Sequence, residues 1–227
     1  MSERETGHDS SRRDFLKKSL VGGAVLWSAP VVTSLPGGKA WAQTYGVCNC
    51  DASAFGLFVS IPALGIAQTF GEDGCVANVP LGNNTVAFVR ATTVCGADFS
   101  SVNAGCSSEA TIATLVVRAG PAVAPTLLVN AQVLFTTASA TCSPCGTTGA
   151  FSAASVTVSG SLVGGPINVD VGAACNTSVA GLVTVNEQFC VGGTLNVNAV
   201  HVNLPGIIEV IAAHSEAGAT GCPCTTC

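Results

Sequence analysis

After residue 42 this 227-residue chain has no lysine, no tryptophan and no methionine, and its only arginines are Arg90 and Arg118. Nine carboxylates oppose those two cations, so segment 43–227 carries a net charge of −7 with histidine neutral. Phosphate recognition needs clustered Lys and Arg, which excludes nucleic acid as a partner. The aromatic set is eight phenylalanines and Tyr45, so the Trp and Tyr platforms on which sugars usually stack are nearly absent. No G-x-S-x-G elbow and no glycine-rich phosphate loop occurs, and no cysteine stands beside a histidine, so the common nucleophile signatures are missing. "GEDGC" and "DVGAACN" place acids in turns but supply too few oxygens for a calcium loop. There is no charge block and no long Pro or Ser tract to mark a linker, and no repeat of 20 to 50 residues is visible. A chain of this size can bury one good core.

The N-terminus has the parts of a cleavable export signal. "SRRDFLK", with Arg12, Arg13, Phe15 and Leu16, resembles the twin-arginine signal. An apolar stretch from Leu20 to Val32 follows, and Ala40-Trp41-Ala42 offers a small-residue cleavage site. Thirteen residues broken by Gly22, Gly23 and Pro30 are too few for a span, which needs about 20. The expected organisation is a signal peptide, 1–42, and a secreted domain, 43–227. The twin-arginine translocase is the partner expected during export. Cys48 lacks the small preceding residue of a lipobox, and "GCPCTTC" is neither a hydrophobic tail nor a sorting signal.

All twelve cysteines follow residue 42: Cys48, Cys50, Cys75, Cys95, Cys106, Cys142, Cys145, Cys175, Cys190, Cys222, Cys224 and Cys227. An even count in an exported chain reads as six disulfides. Spacing alone does not give the pairing. Cysteines one residue apart, as in Cys48-Asn49-Cys50 and Cys222-Pro223-Cys224, rarely bond each other. Each cluster is expected to reach separate partners, and tying the two chain ends together is one economical solution. Two chemical alternatives stand beside this. Cys142-Ser-Pro-Cys145 has the spacing of a thiol redox motif, although its flanks read as strand and loop. Cys142, Cys145, Cys224 and Cys227 form two C-x-x-C pairs suited to zinc. No run of the kind that holds an iron–sulfur cluster is present, and no cofactor is expected.

Alternation with period two dominates the exported segment. It predicts strands at 54–61, 84–92, 110–118, 126–136, 154–163, 167–171, 180–190, 194–204 and 207–214. No stretch shows a helical stripe. Gly192-Gly193 fits a two-residue hairpin and Pro205-Gly206 a type II turn, giving a three-stranded meander. With Gly192-Gly193 at the tip, Val183 faces Val202, Val185 faces Val200 and Glu187 faces Asn198. In the second strand Leu195, Val197 and Ala199 give way to Val200, Val202 and Leu204. A bulge near Ala199, or burial of both faces, explains that slip. The expected fold is a single all-β domain, an antiparallel β-sandwich stapled by disulfides.

"ASAFGLFVS" (Ala52 to Ser60) and "LVTVNEQFCVGGTLNVNAVHVNLPGIIEVIAAHSEAG" (Leu182 to Gly218) resemble the choice-of-anchor P family of secreted bacterial proteins. The resemblance implies export and, often, surface attachment. It implies no activity and transfers no catalytic residues. This chain departs from the family in its high cysteine content and in showing no C-terminal anchor.

His201, His214, Glu187, Glu209 and Glu216 form the one dense polar set. The meander register places His201 opposite Thr184 and Val210, with His214 at the far end of its strand. That favours separate, edge-facing polar residues over a joint acid–base or metal site. The N-x-S/T triplets at Asn83 and Asn176 read as chance. The expected function is a non-enzymatic structural or adhesive domain, secreted or at the cell surface, with an unidentified extracellular partner. Pairing of strand edges between copies offers a route to self-assembly. The alternatives are an exported metal or thiol redox protein and a carbohydrate-binding module.

Overall fold

The computed structural model describes residues 49–72, 74–101, 105–170 and 172–227. The leader motif (Arg12, Arg13, Phe15, Leu16), the cleavage site (Ala40, Ala42) and Cys48 lie outside them, as does Val171 at the end of one predicted strand. Antiparallel pairing builds two sheets. The first runs in the order Thr177–Val179 (β10), Val183–Val191 (β11), Thr194–Leu204 (β12), Ile208–Ala219 (β13), Cys50–Ile61 (β1) and Ile66–Phe70 (β2). The second runs Gly74–Gly82 (β3), Ala87–Ser101 (β4), Gly105–Ala119 (β5), Leu127–Cys142 (β6), Ser155–Ser159 (β8) and Ile167–Val169 (β9). Cys145–Ser152 (β7) pairs with the second half of β6, whose first half pairs with β8. The sheets pack face to face around an all-aliphatic core that includes Leu57, Ile61, Leu115, Leu127, Val200 and Val210.

The meander forms with the register its turns dictate. Val183 pairs with Val202, Val185 with Val200 and Glu187 with Asn198. Gly192 and Gly193 take φ of 60° and 92°, the left-handed pair that a type I′ hairpin requires. Four strands escape the sequence pattern: β2, β3, β7 and β10. β3 carries Pro80 and β7 carries Gly146 and Gly149, residues that weaken a strand signal. The stretch 154–163 is strand only as far as Ser159, because Gly160 turns the chain at φ 123°.

The slip in β12 proves to be part of a line that crosses both sheets. Thr93, Val133, Asn186 and Ala213 adopt left-handed φ of 49°, 50°, 52° and 49° in turn. Thr93 on β4 and Val133 on β6 both lie opposite Ala113 of β5. Asn186 on β11 and Ala213 on β13 both lie opposite Ala199 of β12, and Ala213 also faces Gly56 of β1. The register is the same on either side of this line, so no residue is inserted. What changes is which alternate residues point inward. β5 buries Cys106, Ser108, Ala110 and Ile112 before it and Leu115, Val117 and Ala119 after it. β6 buries Leu127, Val129 and Ala131, then Leu134, Thr136, Ala138 and Ala140. On β4, β6, β11 and β13 a left-handed residue reverses the peptide plane and hands the alternation to the other parity, and β1, β5 and β12 change parity alongside at Gly56, Ala113 and Ala199. Left-handed β-branched residues such as Thr93 and Val133 are outliers that cost on the order of 1–3 kcal/mol each.

The line divides the core. On one side lie Leu, Val and Ile, each worth about 1.5–3 kcal/mol when buried. The other side ends in a second cluster of Ala52, Cys106, Ala138, Ala140, Leu195, Val197, Ala217 and Ala219, five of whose eight members are alanine. There the sheets approach closely. A Cβ on Gly96 would lie 2.3 Å from the Gly71 carbonyl oxygen and 2.8 Å from that of Ala54. Inter-sheet hydrogen bonds fill the gap: Ser108 Oγ donates to the Glu216 carbonyl at 2.8 Å, and Thr136 Oγ1 to the Ala213 carbonyl at 3.0 Å.

Every described disulfide lies on this small-residue side. Cys50–Cys106 joins β1 to β5 across the sheets, and Cys75–Cys95 joins β3 to β4. Cys145–Cys222, Cys190–Cys224 and Cys175–Cys227 fasten the last residues of the chain to β7, to β11 and to the segment before β10. Cys142 is also disulfide-bonded. Each bridge is worth about 2–4 kcal/mol, a contribution that offsets the thin apolar core of this end. Cys222 and Cys224 do take separate partners, and Cys50 reaches β5, not the C-terminal cluster.

Candidate functional site

The outer face of the first sheet carries a connected constellation of titratable and polar side chains. The loop after β12 sets its register. Leu204 pairs with Ile208, and the Ile207 N–H donates to the Leu204 carbonyl at 3.0 Å around Gly206 at φ 76°. His201 therefore faces Thr184 as expected, but Ile211 instead of Val210. The same one-residue shift puts His214 opposite Asn198, which is itself opposite Glu187. The five residues expected to stand apart are brought together, and the edge-facing reading is corrected on that geometry.

Glu187 is the hub. Its Oε2 accepts from the Asn198 amide at 2.6 Å and lies 2.9 Å from His201 Nδ1. Asn198 Oδ1 is 2.6 Å from His214 Nδ1. His214 Nε2 lies 3.7 Å from Glu216 Oε2, and Glu216 Oε1 accepts from Ser53 Oγ at 2.7 Å. His201 Nε2 sits 3.5 Å from Glu209 Oε1, an ion-pair distance without hydrogen-bond geometry. The Phe55 ring stacks on His214 at 4.4 Å. The chain of contacts thus ties β11, β12, β13 and β1 side by side.

Electrostatics follow from these contacts. Burial pushes the Glu187 carboxyl up, but hydrogen bonds from His201 and Asn198 and the charge of both histidines outweigh it and hold it below its ordinary value. The hydrogen bond to Glu187 raises His201, against burial, with the charges of Glu187 and Glu209 adding to the rise. The close His214 ring lowers Glu216 against burial, helped by the hydrogen bond from Ser53. No lysine or arginine stands on this sheet: Arg90 lies on β4 and Arg118 on β5. The face is therefore acidic, with histidine as its only internal counter-charge.

The sulfur candidates fall elsewhere. Cys142 and Cys145 face each other across the β6–β7 hairpin, whose Ser143–Pro144 bond is cis, and Cys145 bonds to Cys222. The proposed zinc set is not assembled as thiolates, because Cys142, Cys145, Cys224 and Cys227 are each consumed in a disulfide. Among the described residues no group of three or more His, Cys, Asp or Glu is placed to hold a metal ion. Both N-x-S/T asparagines serve the backbone. Asn83 Oδ1 accepts from the Thr85 and Val86 N–H groups at 3.0 and 2.8 Å, and Asn176 Oδ1 from the Gln188 N–H at 2.8 Å. Asp170 Oδ1 is likewise held by the Gly172 N–H at 3.1 Å.

Compared with family models, curated proteins and solved structures, the chain returns no match in any of the three.

Proposed function

We propose that this chain is an exported, non-catalytic structural or adhesive module that works by presenting a fixed surface to an extracellular partner. The twin-arginine-like leader and the resemblance to choice-of-anchor P proteins support export, and the disulfides fit an oxidising compartment. The observation that carries the reading is the Glu187–Asn198–His214 row with His201 and Glu216 at its flanks. Apart from His201 Nε2, its buried polar groups hold one another, so the face is ordered before any partner arrives, and ordering costs on binding are small. An acidic face without lysine or arginine suits a neutral or cationic surface.

The test is binding of the purified exported protein to envelope isolated from the producing cells. A Glu187→Gln/Glu209→Gln/Glu216→Gln variant should bind at least tenfold more weakly, while Arg90→Ala should not change. Equal binding by the triple variant would sink the reading. The carbohydrate alternative is favoured by one contact, the Phe55–His214 stack beside the Asn and Glu acceptors, and binding on a glycan array would promote it.

A further inference from the structure

We infer that the fold is completed in two stages set by sulfur: the cysteine-free half assembles in the reduced chain, and oxidation then closes the other half. The inference does not rest on the proposed function.

The line through Thr93, Val133, Asn186 and Ala213 separates two ends of the same strands. Beyond it on one side the interior is Leu, Ile and Val, such as Leu57, Leu115, Val129 and Val202, and no described cysteine is present. That end has the apolar burial to hold itself together without cross-links. On the other side Val94, Ile112 and Leu134 border the line, and beyond them the interior runs out into alanine, serine and threonine; every described bridge is found there. Leu195 and Val197 are its only large aliphatic members in the terminal cluster. With its cross-links open, this end keeps hydrogen bonds that water can replace, such as Thr136 to Ala213. The last residues of the chain lose their three covalent anchors at Cys222, Cys224 and Cys227 at once and keep only hydrogen bonds such as Thr225 N–H to Thr147 Oγ1.

Closure needs a disulfide donor, such as oxidised glutathione. One protein thiolate attacks the donor disulfide, and a second displaces the bound donor thiol. Each bridge thereby oxidises two protein thiols, reduces one donor disulfide to two thiols and passes two protons to them.

Residue-resolved hydrogen exchange of the full chain, oxidised and in a phosphine reductant, tests this. In the reduced protein protection should persist at 57–61, 115–119, 127–131 and 200–204. It should fall by at least about 100-fold at 135–142, 187–191 and 214–219, a local opening free of global unfolding. The boundary should fall within β6, at Val133, and within β13, at Ala213. Oxidised glutathione should restore the lost protection. Exchange throughout the reduced chain, unchanged protection throughout, or a boundary that follows whole strands would each overturn the inference.

Discussion

Thr136 on β6 reaches across the sandwich and donates its hydroxyl to the carbonyl of Ala213 on β13, 3.0 Å away. Ala213 is one of the left-handed residues, so this bond fixes the orientation of a reversed peptide from the opposite sheet. The Ser215 hydroxyl lies 2.8 Å from the same Thr136 oxygen and 3.2 Å from the Thr136 carbonyl, to which it donates. Thr136→Val keeps the shape and removes the hydroxyl. It leaves a buried carbonyl under-satisfied and should cost about 1–3 kcal/mol. Urea unfolding measures this, and an unchanged midpoint would show that the bond is dispensable.

Gly96 should tolerate no side chain. A Cβ there meets two backbone oxygens, on Gly71 and Ala54, at 2.3 and 2.8 Å. Backbone in both sheets would have to move, so Gly96→Ala should destabilise by about 1–3 kcal/mol or more. Gly146, with nothing within 4 Å of an added Cβ, is the control. Gly146→Ala should stay within about 0.5 kcal/mol of the parent.

Val133 is a β-branched residue at φ 50° with 55% of its surface exposed. Asparagine accepts left-handed backbone far better, and little packing is lost. Val133→Asn should therefore raise stability by roughly 1 kcal/mol. A lowered denaturation midpoint would mean that the valine packs better than its exposure implies.

Stability should show two pH limbs. His201 has a raised pKa in the folded protein, so its contribution is complete below the ordinary histidine value of about 6.5 and is lost as pH rises through the folded value. Glu187 and Glu216 have lowered values, so theirs is complete above the ordinary value of about 4.3 and is lost as pH falls through the folded values. The optimum for this network lies between the two. His201→Gln should abolish the alkaline limb and leave the contribution of Glu216 on the acid side. Denaturation midpoints from about pH 3 to pH 9 read both limbs, and an alkaline limb that survives in the variant belongs to another group.

The meander was legible because its punctuation is strong. Gly192-Gly193 forces one hairpin type, and the alternating valines of β11 and β12 leave one register. At the next turn the same reasoning fell one residue short. Pro205-Gly206 specifies a type II turn, but Ile207 also stays out of the ladder and turns towards solvent. That single residue decides whether His201 meets Val210 or Ile211, and hence whether His214 joins Glu187. The slip at Ala199 was visible in β12, but its cause sits on the neighbouring strands, in Asn186 and Ala213. Asparagine tolerates a positive φ, but inside an alternating strand Asn186 reads as an ordinary polar position, and alanine at 213 gives no signal at all. Strands β3 and β7 were missed because Pro80, Gly146 and Gly149 disguise them. The cysteine pairing was beyond reach, since it depends on which strand ends meet in space.

Both described ends of the polypeptide emerge at the cross-linked end of the sandwich. Cys50 opens β1 and is bridged to β5, while the final residues are bolted to three separate places. Tension applied through the two ends would run first into covalent bonds, and the hydrogen-bonded aliphatic half would stay unloaded. A body stretched in this way should yield as a tether of fixed length, not by peeling strand from strand.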